Sequence, residues 1–358
     1  MRLHLAVLLA TTLAAPALPA ENPLATTVKR EAERRAAAHE FSGALLVAKD
    51  GKPIVEGAYG GHEIDTKFRF GSMGKMLTAV AALQLIQAGK LALDAPISRY
   101  LPDYPNKEVA AVTLSQLLTH TGGTGNIFSP EYFDHRLETR EHQDYIKLFG
   151  NRGPMFPPGS RWDYSNYGMI LLGRIIEVVS RQSYYDYTRA HIFEPLGMTA
   201  TGNEPEDRHV PKLSIGQTHM GPRPGPPGPL RPNTDTLPYR GTAAGGGYST
   251  VGDLLKFMNG LNSHRLLDAA HTEMLMKPRL ATARPGNEQA LGFGIRTWPE
   301  GAVSIGHGGG APGMNGELMY FPKSGYLVVV LANLDPPVAT DLAEFIVRQL
   351  PKVRPRIK

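Results

Sequence analysis

The sequence predicts an α+β fold: an antiparallel sheet assembled from both ends of the chain and flanked by helices, with a mainly helical lobe inserted between its halves. Three observations predict it. Strand-like runs gather in residues 41–59 and again in residues 293–332, an Asp-Gly pair joins the first two runs, and a helical stretch separates the clusters.

The elements follow in chain order. Residues 26–39 carry a helical pattern. Residues 41–48 read as a strand that turns through Lys49-Asp50-Gly51-Lys52 into a second strand over 53–59. Asp-Gly between apolar runs signals a hairpin, because the tight turn needs positive φ at both central residues. An apolar helix covers about 73–87. A short helix starts near Leu114, with Thr113 and Gln116 placed as a capping box, and another covers 167–179. Residues 221–241 are rich in Pro and Gly with Arg223, Arg231 and Arg240 among them, a composition that resists regular structure. Strands follow at 293–297, 302–305, 317–321 and 326–332, and a closing helix at 339–350. This order divides the chain into an α/β lobe (about 21–90 and 247–358) and a helical lobe (about 91–246), with the active site expected in the cleft between them.

The first 20 residues have the pattern of a signal peptide: Arg2, an apolar run over 5–13, and small-residue exits at Ala15-Pro16-Ala17 and Ala20. A periplasmic or secreted location is therefore expected. No other segment approaches the roughly 20 apolar residues a membrane span needs. The chain has no cysteine, which excludes disulfides and thiolate metal sites. The formal charge of +5 becomes +4 without Arg2, and no basic block with interleaved aromatics points to nucleic acid. A small-molecule or peptide acyl substrate is the expected partner. The sequence does not set the oligomeric state.

Ser72 and Lys75 stand three residues apart just ahead of the apolar helix. Positions i and i+3 share a helix face, so a hydroxyl and an amine can meet there. A serine needs an adjacent base to become a nucleophile, and lysine serves only when neutral, which burial must enforce. Tyr164 and Asn166 lie at a loop-to-helix junction, where side chains are fixed yet accessible. His307 opens the run Gly308, Gly309, Gly310 after a strand; glycines let a substrate approach, and free amides there can hold an oxyanion. Each motif taken singly has a plainer reading, as helix surface, packed ring or turn. His120, in Thr119-His120-Thr121-Gly122, reads as a buried loop anchor.

Ser-x-x-Lys, then Tyr-x-Asn, then a basic residue followed by x-Gly, in that order, resembles the penicillin-recognising serine hydrolases, in the branch with class C β-lactamases, DD-peptidases and related esterases and D-amino-acid amidases. The stretches 89–97, 117–123 and 245–254 resemble that branch too. The resemblance implies a β-lactamase/transpeptidase-like fold. It also implies Ser72 as nucleophile, Lys75 and Tyr164 sharing the proton transfers, Asn166 and His307 binding substrate, and an oxyanion hole from the amides of Ser72 and Gly310 beside Gly309. It places residues 221–241 near the cleft, where they would shape substrate access; a spacer without function is the alternative reading. His307 departs from the lysine common there. A mostly neutral histidine acts mainly as a hydrogen-bond donor, leaves Tyr164 less acidic, and weakens selection for carboxylate-bearing substrates.

Other chemistries lack their signatures. A nucleophile elbow would need glycine where Phe70 stands, and the histidines show no metal-binding spacing, so neither metal nor cofactor is expected. The expected function is hydrolysis of small esters, D-amino-acid amides or peptides through an acyl-enzyme. The alternatives are a class C type β-lactamase and a non-hydrolytic penicillin-binding sensor.

Overall fold

The computed structural model describes residues 22–351, so the signal-peptide expectation lies outside the described residues. Helix α1 (Pro23–Ala37) is capped by Asn22 and leads to strands β1 (Gly43–Lys49) and β2 (Lys52–Tyr59). Their hairpin turns on Asp50 and Gly51, with φ of 49° and 76°, as the Asp-Gly pair requires. The apolar helix is α2 (Gly74–Gln87), and the loop-to-helix junction opens α3 (Asn166–Ser180). Near the other end come β3 (Leu280–Ala281), β4 (Asn287–Gln289), β5 (Gly294–Thr297), β6 (Val303–Ala311), β7 (Met314–Phe321) and β8 (Tyr326–Ala332), then α4 (Val338–Gln349).

These strands form one sheet in the order β2-β1-β8-β7-β6-β5-β4-β3. Every pairing is antiparallel, and β1 joins β8 along the full register from Gly43 with Ala332 to Lys49 with Tyr326. The N-terminal hairpin and the last strand thus meet inside the sheet, second and third from its β2 edge. Central strands must be apolar on both faces, and β1 (GALLVAK) and β8 (YLVVVLA) are. On one face Leu45, Val47, Val328 and Val330 pack with Val28 and Ala32 of α1 and with Ala339, Leu342, Ala343 and Ile346 of α4. The α4 residues fall at helical spacing, the stripe that seats a helix on a sheet. On the other face Leu46, Val329 and Leu331 pack with Val80, Leu83 and the rest of α2. Burial runs nearly all round α2 from Gly74 to Leu83, so it is an interior helix. That fact later controls the state of Lys75.

Strand β6 differs from the expectation. The expected strand ends at residue 305, yet β6 continues through the glycine run to Ala311, pairing Gly308 with Glu317 and Gly310 with Asn315. Glycine weakens a strand's intrinsic preference, but here β7 supplies a full ladder on one side. On the other side β5 stops pairing after Gly306.

Between α2 and β3 the regular structure is mainly helical, in short helices joined by loops. The helix Leu114–Leu118 carries the expected Thr113–Gln116 capping box. A two-residue ladder, Gln217 with Pro232 and Thr218 with Arg231, closes the loop over 219–230, and the rest of the Pro/Gly-rich segment runs on to residue 241. Asn233 of this segment donates from Nδ2 to the Pro312 carbonyl at 2.8 Å, in the turn that follows the glycine run of β6, and a Cβ on Gly241 would lie 2.6 Å from the Gly247 nitrogen, so the segment runs beside the strand and the loop that flank Ser72. Arg223 is ion-paired with Asp134, and Arg240 lies 3.3 Å over the Tyr185 ring, which ties the segment to the helical side.

Candidate active site

Ser72 sits in a 3₁₀ turn, Gly71–Met73, that feeds the first turn of α2. Two neighbours pin this turn. Tyr248 and Ser249 pair with Arg69 and Phe68, the Phe70 N–H donates to the Gly247 carbonyl at 3.0 Å, and the Gly246 N–H donates to Gly71 at 3.1 Å. Gly245, at φ +129°, has no room for a side chain, since a Cβ there would meet the Gly71 carbonyl at 2.2 Å. From the sheet side β6 presses in just as closely, because a Cβ on Gly309 would lie 1.9 Å from the Phe70 carbonyl and 2.9 Å from the Ser72 nitrogen. The glycines expected at the oxyanion position therefore stand beside Ser72, and a Cβ on Gly71 would reach the Gly310 nitrogen at 2.9 Å.

Lys75 has no solvent exposure, and burial alone holds its pKa well below the ordinary value of 10.5. Its Nζ lies 2.7 Å from Asn166 Oδ1, 2.6 Å from the Ala244 carbonyl and 3.1 Å from Ser72 Oγ. A neutral amine has two N–H groups and one lone pair. Two of these partners can only accept, because Ala244 offers a carbonyl and the Asn166 amide is oriented by its own Nδ2 donating to Asn126 Oδ1 at 2.8 Å. Both N–H groups are thereby taken. The lone pair is left facing Ser72, whose hydroxyl can donate to it.

Tyr164 completes the group. Its ring lies 4.7 Å from Lys75 Nζ, 4.7 Å from the His120 ring and 6.2 Å from the His307 ring. Burial pushes its phenol above the ordinary value, and hydrogen bonding with Ser72 only partly opposes this, so the group carries its proton. His120 anchors the preceding loop as expected. Its carbonyl accepts the Asp163 N–H at 2.9 Å and its Nδ1 accepts the Ser165 N–H at 3.3 Å. Ser165 caps α3, which sets Asn166 in the first turn of that helix.

His307 is pressed down to about 4 by burial first of all, so it is neutral at pH 7. Its Nδ1 donates to the adjacent Gly308 carbonyl. The expectation of a donor toward substrate is corrected here: the one ring N–H is used locally, and Nε2 remains as an acceptor.

These residues line one cleft of about 610 Å³, with Ser72, Tyr164, His307, Gly309 and Gly310 on its wall and Trp162, held by Gln289 at 3.3 Å, beside them. The structure thus gathers every sequence-predicted residue around Ser72. Ala244 and Asn126 are the participants that sequence reasoning missed. Ala244 acts through its carbonyl, which no side-chain pattern announces; Asn126 is a lone polar residue whose only signal is its place just after the glycine pair of residues 122–123.

The family model for beta-lactamase matches residues 28–350. A putative penicillin-binding protein, PbpX, of Bacillus subtilis (strain 168) is 31% identical over 81% of this chain and 70% of its own length. Among solved structures, a penicillin-binding protein from Bacillus halodurans superposes with a TM-score of 0.78 at 28% identity, over 90% of this chain and 99% of that one. A D-stereospecific amidohydrolase from Streptomyces sp. gives 0.77 at 25% identity, over 89% and 97%. Together with a buried amine facing a serine hydroxyl on this fold, they show that the chain belongs to the beta-lactamase family and is a serine hydrolase related to the penicillin-binding proteins.

Proposed function

We propose that the protein hydrolyses small esters and D-amino-acid amides or peptides through an acyl-enzyme on Ser72. The observation that carries this is the two-acceptor cage around Lys75, which leaves its lone pair only the Ser72 hydroxyl. As Ser72 Oγ attacks the carbonyl carbon, its proton passes to Lys75 Nζ. The resulting oxyanion is held by the amides of Ser72 and Gly310. When the tetrahedral adduct collapses, Tyr164 gives its proton to the leaving oxygen or nitrogen and is reprotonated from Lys75. Water then attacks the ester carbonyl, giving up a proton to the same pair, and Ser72 leaves with one. Asn166 orients Lys75 on one side and offers its amide to the substrate on the other.

Amides are favoured over penicillins for a reason of charge. The cleft presents His307 as a neutral acceptor where a cation would hold a substrate carboxylate. The solved amidohydrolase of similar fold lends support to this choice. The likeness to penicillin-binding proteins favours a second reading, in which a β-lactam acylates Ser72 and is released slowly. A periplasmic or secreted location rests on the N-terminal signal pattern. One screen decides among these: p-nitrophenyl esters, D-amino-acid amides, D-Ala-D-Ala peptides and nitrocefin offered side by side, with Ser72→Ala as blank. Many turnovers on ester and amide are expected. A burst of one equivalent that then stops would overturn hydrolysis in favour of a sensor, and label retained by Ser72→Ala would move the nucleophile elsewhere.

A further inference from the structure

The cleft continues from Ser72 along the edge of β6 to Glu317 of β7, which shares its wall. Glu317 faces Gly308 across the ladder, two residues or about 7 Å along the strand from Gly310. A Cβ at position 308 would lie 2.7 Å from Glu317 Oε2, so the carboxyl group occupies the space that a side chain there would fill. Among the described residues, Thr340 Oγ1 donates a hydrogen bond to Glu317 Oε2 at 3.1 Å. The charged groups facing it are Glu344 of α4, Arg296 of β5 and Arg284 in the turn between β3 and β4. Arg296 is already committed, bonded to Glu344 at 2.6 Å and lying 4.0 Å over the Trp298 ring. On the opposite face of β6, His307 contributes only an acceptor nitrogen.

We propose that Glu317 is a specificity-determining residue that accepts a cationic, amine-type group of the substrate beside Gly308 and turns away a carboxylate. The proposal rests on the acyl-enzyme reading given above and names its substrate class. Burial pushes the Glu317 carboxyl up to about 7. The carboxylate therefore forms as pH rises through that value, and the preference for cations grows with it.

The test is a matched set of p-nitrophenyl esters whose acyl chains end in trimethylammonium, its neutral tert-butyl isostere, or carboxylate. The first and last keep their charge from pH 6 to 8. For the wild type, the kcat/KM ratio of cation to carboxylate is expected to reach on the order of tenfold at pH 8 and to shrink toward pH 6. In Glu317→Gln the ratio should fall close to one and lose its pH dependence. The wild-type profile needs no variant, so a misfolded substitution leaves the test intact. A ratio that is flat with pH, unchanged in Glu317→Gln, or in favour of carboxylate overturns the assignment of Glu317. Absence of turnover on the neutral ester overturns the hydrolase reading itself, which keeps the two failures apart.

Discussion

Replacing Asn166 with aspartate places a carboxylate oxygen 2.7 Å from Lys75 Nζ with almost no change in shape. At an effective dielectric constant of about 20, that separation is worth about 6 kcal/mol of gross attraction between carboxylate and ammonium. Desolvation of the new charge consumes part of it, and roughly 3–5 kcal/mol remains, enough to hold the lysine proton to a pH about 2–4 units higher. A lysine that keeps its proton cannot take one from Ser72. The acidic limb of kcat/KM for p-nitrophenyl acetate should accordingly move up by about 2–4 units, with activity at pH 7 lower by about 10²- to 10⁴-fold. Asn166→Ala removes the acceptor without adding charge and should lose activity with no upward move of the limb. An aspartate variant whose limb stays in place and whose rate is within tenfold of wild type would refute the reasoning.

Three further outcomes are expected. Tyr164→Phe should lower amide hydrolysis by about 10²- to 10⁴-fold and p-nitrophenyl ester hydrolysis far less, since nitrophenolate leaves without a proton; equal losses on both would remove the acid role. Gly309→Ala puts a methyl group 1.9 Å from the Phe70 carbonyl, so it should displace the Ser72 turn and abolish fluorophosphonate labelling, and full labelling would show that β6 yields easily. His307 is held near 4 in the fold against about 6.5 unfolded. With the folded value lowered, its neutral burial costs nothing above pH 6.5, and stability falls by up to about 3 kcal/mol as pH drops from 6.5 to 4. Urea titrations of wild type and His307→Asn should diverge across that window; parallel curves would mean the imidazole is hydrated.

Much of the framework was legible in the sequence. The run over 326–332 is apolar at every position, which only a central strand tolerates, and it is β8 residue for residue. Ser72 and Lys75 were legible because their relation is local, set by helical spacing. The continuation of β6 was not, since its glycines carry no strand signal and the ladder that orders them is supplied by β7. The cage of Lys75 was also out of reach: Ala244 and Asn126 arrive from distant segments, one as a backbone carbonyl and the other as an isolated amide. Glu317 read simply as part of a strand. Its place in the cleft depends on Gly308 having no side chain across the ladder, a relation of register and not of spacing along the chain.

The charge of Lys75 can be followed directly. With lysines labelled at Cε and the Lys75 resonance assigned by its loss in Lys75→Met, a ¹³C NMR titration is expected to show this one amine already neutral at the pH of turnover, far ahead of the solvent-exposed lysines. A Lys75 signal that stays with the others as an ammonium up to their common midpoint, while hydrolysis proceeds at full rate, would contradict the account.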